Sequence, residues 1–171
     1  MDLKAHIRTI PDFPKPGILF YDITTLLMNG EAFQHALDKL HEVVEETRPD
    51  HIVAIESRGF LFGAPLAALS KIGLVLVRKQ GKLPGAVISH SYDLEYGTDT
   101  IEISEGFIQP GNQVLIIDDL LATGGTARAT KTLLENIGAN VVGTLCLIEL
   151  LGLGGREKVG GEVWSVLTYE V

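Results

Sequence analysis

Short apolar runs that alternate with helix-forming stretches constrain this chain more than any other feature. HIVAIE (51–56) leads into SRGFLFGAPLAALSKIG, and NQVLIID (112–118) leads through the turn ATGGT into GTARATKTLLENIG, closed by Gly138. Each reads as a buried strand, a turn and a helix. LVLV (74–77), ANVVGTLCLIEL (139–150) and EVWSVLTYE (162–170) supply further strands. Between Glu31 and Thr47, Phe33, Ala36, Leu37, Leu40, Val43 and Val44 recur at helical spacing and predict an amphipathic helix. The alternation predicts an α/β fold, a mostly parallel twisted sheet with helices on both faces. Period-2 character over 85–104 predicts a two-stranded β-ribbon with a polar connection at Gly97–Asp99. Three prolines and a glycine between Pro11 and Gly17 forbid regular helix there, so residues 1–30 are expected as an N-terminal arm or hood. No linker, repeat or low-complexity tract divides the chain, and 1–171 is expected to be one domain.

In parallel sheets ligands bind outside the C-terminal ends of the strands. Three strands here end in residues with chemistry to offer: Glu56-Ser57-Arg58-Gly59, Arg78-Lys79 and Asp118-Asp119. The last is followed by ATGGT, a small-residue turn that opens a helix. Backbone N–H groups at such a turn are unpaired and favour an anion. Ala122, Gly124 and Gly125 permit close approach, and Thr123 and Thr126 add hydroxyl donors, a set suited to a phosphomonoester. Two acids at the head of a phosphate cradle need donors of their own. The vicinal hydroxyls of a ribose 5-phosphate supply them. The same acids favour positive charge on the sugar ring during reaction.

Composition and missing motifs narrow the field. A formal net charge of −8 excludes non-specific binding to a nucleic-acid backbone, so an anionic ligand must be held by a local site. No apolar run approaches the ~18–20 residues that span a bilayer. The opening MDLKAHIRTI lacks the basic-then-apolar layout of a signal peptide, and a cytoplasmic location is expected. The single Cys146 lies in an apolar run and is expected to pack as a small hydrophobe. There is no G-x-x-x-x-G-K-[ST], no G-x-G-x-x-G after a strand and no G-x-S-x-G. Five scattered histidines and one cysteine offer no zinc spacing.

VLIIDDLLATGGT resembles the signature of type I phosphoribosyltransferases, which bind 5-phosphoribosyl-1-pyrophosphate (PRPP). The likeness extends over nearly the whole chain, through IPDFPKPGILFYDIT, ESRGFLFGAPLA, VRKQGKLPG, SYDLEYGTD and IELLGLGGREK. The proline-rich arm together with RKQGKLPG and YDLEYGTD points to the adenine-specific branch.

The resemblance implies that family's fold, with a mobile β-ribbon loop and a small N-terminal hood. It implies a purine-salvage reaction in which adenine displaces pyrophosphate from PRPP and gives AMP. Mg²⁺ would be held mainly by PRPP and water, with no dedicated protein site. Glu95, Arg58, Asp118 and Asp119 carry over as catalytic residues. PRPP and AMP contacts fall on Ser57, Arg58, Arg78, Lys79, Lys82, Tyr96, Asp118, Asp119, Ala122, Thr123, Gly124, Gly125 and Thr126. Adenine contacts fall on the backbone of Leu19 and Tyr21, with Phe20 and Leu150 as apolar neighbours. Two departures stand out: Tyr21 occupies a position where arginine is common, and Ser57 one where some members carry alanine. The family's pyrophosphate loop, here ESRG, often contains a cis peptide. The resemblance also implies a homodimer in which cations near Arg78 reach a neighbouring site. Another base, such as xanthine or guanine, and a non-catalytic PRPP-sensing regulator stay open as alternatives.

Overall fold

Arg8–Pro11 (β1) and Leu19–Asp22 (β2) pair antiparallel, with Arg8 opposite Asp22 and Pro11 opposite Leu19. The structure is a computed structural model that describes residues 1–171, and it divides into two compact units, Met1–Lys39 and Leu40–Val171. In the first unit the proline-rich stretch is the connection of a hairpin. Pro14 and Pro16 lie between the strands, and Pro11 takes the last position of β1, where a missing N–H does least harm to the ladder. The Phe13–Pro14 peptide is cis, and the Phe13 ring meets Phe20 edge-on at 5.0 Å.

A short helix, Thr24–Met28 (α1), follows the hairpin. Asp22 caps it: Oδ1 accepts hydrogen bonds from Thr24 N at 2.9 Å and Thr24 Oγ1 at 2.7 Å, while Oδ2 takes Arg8 Nε at 2.6 Å. Gly30–Thr47 (α2) then runs through the boundary between the units, in agreement with the helix expected from Glu31.

The second unit is built on His51–Ile55 (β3), Gly59–Ser70 (α3), Gly73–Lys79 (β4), Val87–Asp93 (β5), Thr98–Ser104 (β6) and Gln113–Leu121 (β7). Gly125–Ile137 (α4), Asn140–Leu151 (β8), Gly155–Val159 (α5) and Val163–Glu170 (β9) complete it. The sheet order is β5-β6-β4-β3-β7-β8-β9. Strands β4, β3, β7, β8 and β9 are mutually parallel, and the antiparallel β5–β6 ribbon joins the free edge of β4 through Arg78–Glu102 and Lys79–Ile101.

Helices cover both faces, because successive strand residues point to opposite sides. Helix α3 lies on the side of Ile52 and Ala54, so close that a Cβ on Gly63 would stand 2.7 Å from the Ala54 Cβ. Helix α4 lies on the other side, where Ala127, Ala129, Leu133 and Leu134 share a buried cluster with Val53, Val75, Val114 and Ile116. Cys146 is fully buried in β8, and burial pushes its thiol far above the usual range. No helix is long and apolar enough to cross a membrane.

Two sequence expectations shift. The ribbon turns at Leu94–Gly97, where Leu94 N donates to Gly97 O at 2.9 Å, so Thr98 and Asp99 belong to β6 and not to the connection. Strand β7 does not stop at Asp118 but runs on to Leu121, because β8 keeps pairing with it through Asp118–Cys146, Leu120–Ile148 and Leu121–Glu149.

Candidate active site

Parallel registry places the C-terminal ends of β3, β4 and β7 on one edge of the sheet, as expected from the strand order. At that edge Asp118 and Asp119 are strand residues, with alternating directions imposed by the pleat. Asp119 is buried, and its Oδ2 lies 2.7 Å from Arg58 Nε. Arg58 is the residue from which α3 starts, and the Glu56–Ser57 peptide before it is cis, a feature that only the structure can show. Asp118 Oδ1 accepts a hydrogen bond from Asp119 N at 2.8 Å. Burial, reinforced by the neighbouring Asp119 charge, holds the Asp118 carboxyl well above the usual carboxylate range, against the pull of Arg58.

Beyond Leu121 the chain turns through Ala122–Gly124, and α4 begins at Gly125 with Gly124 as its N-cap at φ +83°. That left-handed conformation is the one glycine adopts freely. Ala122, Thr123, Gly124, Gly125 and Thr126 line a cavity of about 210 Å³ together with Asp118 from the strand. Asp118 and the cradle therefore share one hollow, and Asp119 is not among its lining residues.

The ribbon contributes Tyr92 and Leu94 to the lining of the same hollow, and neither is singled out by the sequence. The Tyr92 hydroxyl stands 3.2 Å from Thr126 Oγ1 and 3.3 Å from Lys79 Nζ. The ribbon's alternation points Tyr92 toward the cradle side, a signal present in SHSYDLEYG but overshadowed by Glu95 and Tyr96. These two lie at the exposed ribbon tip, with Tyr96 87% exposed. The structure does not bring Glu95 or Tyr96 to the cavity.

The remaining cations are each matched by an acid. Glu56 receives Arg78 Nε at 2.9 Å, Lys82 Nζ at 2.6 Å and Lys79 N at 3.2 Å. Burial acts to raise the Glu56 carboxyl, but the hydrogen bonds from Lys82, Arg78 and Lys79 outweigh it and hold it below its ordinary value. Lys79 Nζ pairs with Asp99 Oδ2. Burial of Lys79 opposes its charge, and the hydrogen bonds to Asp99 and Tyr92 more than offset it. Glu102 ties the RKQGK turn to the ribbon, accepting from Gly81 N at 2.7 Å and Ser89 Oγ at 2.6 Å. Glu56 and Asp99 thus hold the basic cluster in place.

Ser57 is exposed beside Arg58, and Leu150 is half-buried near the end of β8. In the N-terminal unit, Leu19 is exposed, Phe20 is half-buried and the Tyr21 side chain is buried on β2. No cluster of three His, Cys, Asp or Glu side chains is arranged to hold a metal ion.

The family model described as "Phosphoribosyl transferase domain" matches residues 22–170. The adenine phosphoribosyltransferase of Gluconacetobacter diazotrophicus is 55% identical over 170 residues, covering 99% of this chain and 97% of that protein. That of Carboxydothermus hydrogenoformans is 56% identical, with 99% and 100% covered. The crystal structure of adenine phosphoribosyltransferase from Thermoanaerobacter pseudethanolicus superposes with a TM-score of 0.94 at 47% identity, covering 98% of each chain. The enzyme from Saccharomyces cerevisiae, solved with an imino-altritol bisphosphate and adenine, gives 0.91 at 42% identity, with 97% of each chain covered. The chain belongs to the phosphoribosyltransferase family.

Proposed function

We propose that this chain transfers the 5-phosphoribosyl group of PRPP to adenine, giving AMP and pyrophosphate in purine salvage. The observation that carries this reading is the shared hollow, in which Asp118 on the strand opens directly onto a backbone phosphate cradle, with Asp119 beside it paired to Arg58. Relatives named for the adenine reaction over the full length, and the adenine-bound yeast enzyme, select the base.

Adenine nitrogen attacks C1 of the ribose as pyrophosphate leaves, through an oxocarbenium-like state. The protein has to stabilise positive charge on the ring and negative charge on the leaving group. Asp118 and Asp119 accept from the ribose hydroxyls and face the ring with negative charge. N–H groups of 122–126 and the hydroxyls of Thr123 and Thr126 hold the 5′-phosphate. Arg58, Ser57, Arg78, Lys79 and Lys82 take the pyrophosphate. Mg²⁺, if bound, would be held mainly by PRPP and water and would offset the charge of the leaving pyrophosphate. Glu95 and Tyr96 reach the reactants when the ribbon closes, which also keeps water from the reactive centre.

The backbone of Leu19 and Tyr21 reads the base, and Phe20 and Leu150 pack on it. A 6-oxo purine inverts the donor–acceptor pattern, leaving buried groups unpaired, so hypoxanthine is rejected. The family match runs through the boundary at Lys39, which supports one functional domain over 1–171 with 1–30 as its arm. The working form is a cytoplasmic homodimer. Helix α3 carries no charged residue, yet Leu61, Ala64, Ala68 and Leu69 are exposed, an apolar stripe suited to an equal copy.

The test is a base panel with PRPP and Mg²⁺, following nucleotide formation. Adenine turned over far faster than hypoxanthine, guanine or xanthine supports the reading. Equal turnover of a 6-oxo purine refutes the base assignment, and PRPP binding without turnover of any purine refutes catalysis.

A further inference from the structure

GLGGREK is the one stretch at this end of the sheet with no part yet in the reaction. Its last four residues open α5, a helix of five residues from Gly155 to Val159, and Gly155 packs directly against the turn at Ala122–Gly124. A Cβ on Gly155 would stand 2.2 Å from Ala122 O, and one on Gly124 would stand 2.7 Å from Gly155 O. The two segments therefore touch backbone to backbone, at the residues whose N–H groups are to meet phosphate. Any displacement of Gly155 displaces Ala122 and Gly124.

Three anchors fix α5. Arg156 forks onto the buried Glu149 of β8, with Nε 2.9 Å from Oε1 and Nη2 2.5 Å from Oε2. Its Nη1 donates to Val163 O on β9 at 2.6 Å, and Ser165 Oγ donates to Glu149 Oε2 at 2.8 Å. At the far end of α5, Lys131 Nζ donates to Val159 O at 3.3 Å and Gly160 O at 3.1 Å, and Arg128 Nη1 to Val159 O at 3.4 Å. Arg156 supplies both side-chain ties of α5 to the sheet, to Glu149 on β8 and to Val163 on β9, and Glu149 sits in register with Leu121, the last residue before the cradle. A planar fork on a carboxylate fixes orientation as well as distance, which a single ammonium contact does not.

We propose that the Glu149–Arg156 pair, acting through Gly155, is a positioning device that sets the shape of the 5′-phosphate cradle. It rests on the phosphate reading of 122–126 given above. None of its residues touches substrate. Its effect falls on PRPP and AMP binding, while the base-reading backbone of Leu19 and Tyr21 and the leaving-group cations lie on other elements.

The experiment compares Arg156→Met, Arg156→Lys and Gly155→Ala with the unaltered protein, measuring kcat, KM for PRPP, KM for adenine and Tm. The expected result is a rise in KM for PRPP on the order of tenfold or more for Arg156→Met and Gly155→Ala. Arg156→Lys is expected in between, with kcat and KM for adenine within about twofold. Lower Tm with an unchanged KM for PRPP would reduce the pair to a structural role and overturn the proposal. Equal rises in both KM values would overturn it as well. If Arg156→Met does not fold, Arg156→Lys and Gly155→Ala carry the comparison. Direct titration with PRPP separates the two readings: unaltered protein that fails to bind it removes the cradle, whereas binding equal to that of the variants removes only the positioning role.

Discussion

Arg58 Nε and Asp119 Oδ2 lie 2.7 Å apart, joining the start of α3 to the end of β7 across the sheet edge where the site forms. The carboxylate is buried while the guanidinium is partly exposed, so the arginine end of the pair faces solvent and the aspartate end does not. Asp119→Asn keeps the size of the side chain but removes the charge that orients Arg58 and favours the ring cation. Turnover is expected to fall by about 10²-fold or more, the scale of losing a preorganised electrostatic contact. Circular dichroism and Tm serve as the fold control. Near-normal kcat would take Asp119 out of the ribose site.

Asp118 carries a cost for its position. Its carboxyl is held well above the ordinary value of 3.8 by burial and by the Asp119 charge, so the folded protein binds that proton more tightly than the unfolded chain. Stability from this group is therefore present at low pH and lost as pH rises from 3.8 through the raised folded value. Asp118→Asn is expected to abolish turnover and yet raise Tm above that window. A gain of ~1 kcal/mol moves Tm by roughly 2–4 °C in a domain of this size. The measurement is Tm against pH for both proteins: the difference is expected to grow with rising pH. A lower Tm for the variant at neutral pH would contradict the assigned burial.

The strand–turn–helix around ATGGT was legible because apolar run, small residues and helical periodicity follow one another without interruption. The length of β7 was not. Asp118 and Asp119 look like a strand's end by polarity, but pairing with Cys146 and Ile148 on β8 carries the strand past them, and pairing partners are invisible locally. The arm's hairpin was hidden for the same reason, since its prolines fall in the connection and at a strand end, and four-residue strands leave no period to count. Arg58 was readable from its place after a strand. That Arg78 and Lys82 converge on Glu56, and Tyr92 on Thr126, depends on contacts between residues 22 to 34 positions apart. The part of α5 was not legible, because it lies in the backbone contact of Gly155 with Ala122 and Gly124.

Asp22 holds the N-terminal unit's hairpin to its short helix. Its carboxyl is pulled down to about 2, chiefly by the hydrogen bonds from the Thr24 side chain and backbone, with Arg8 adding to them against burial. A depressed folded value means that this stabilisation is present above 3.8 and lost as pH falls through about 2. Asp22→Ala removes a cap and is expected to cost about 0.5–2 kcal/mol. Amide exchange at Thr24, whose N–H now donates to Asp22, is expected to speed up in the variant. Unchanged exchange would show that the cap contributes nothing. The loss is also expected to raise KM for adenine and leave KM for PRPP unchanged, since Leu19–Tyr21 immediately precede Asp22 on β2.

The Tyr92 hydroxyl is the ribbon's link to the cradle, 3.2 Å from Thr126 Oγ1 and 3.3 Å from Lys79 Nζ. A phosphate oxygen received by Thr126 comes within reach of the same hydroxyl, so Tyr92 can pass from an internal contact to a ligand contact with little movement. Tyr92→Phe keeps the ring, which is packed against the buried cluster, and deletes only the hydroxyl. A hydrogen bond of this kind contributes ~0.5–1.5 kcal/mol, which sets the expected rise in KM for PRPP at roughly 3–10-fold. Without ligand, amide exchange along β5 and β6 is expected to accelerate, because the ribbon loses a tie to α4. With saturating PRPP the rate of turnover is expected to change little, since Tyr92 holds the phosphate end and not the reacting carbon. A variant with unchanged KM and unchanged ribbon exchange would show that the hydroxyl neither holds the ribbon nor meets the phosphate.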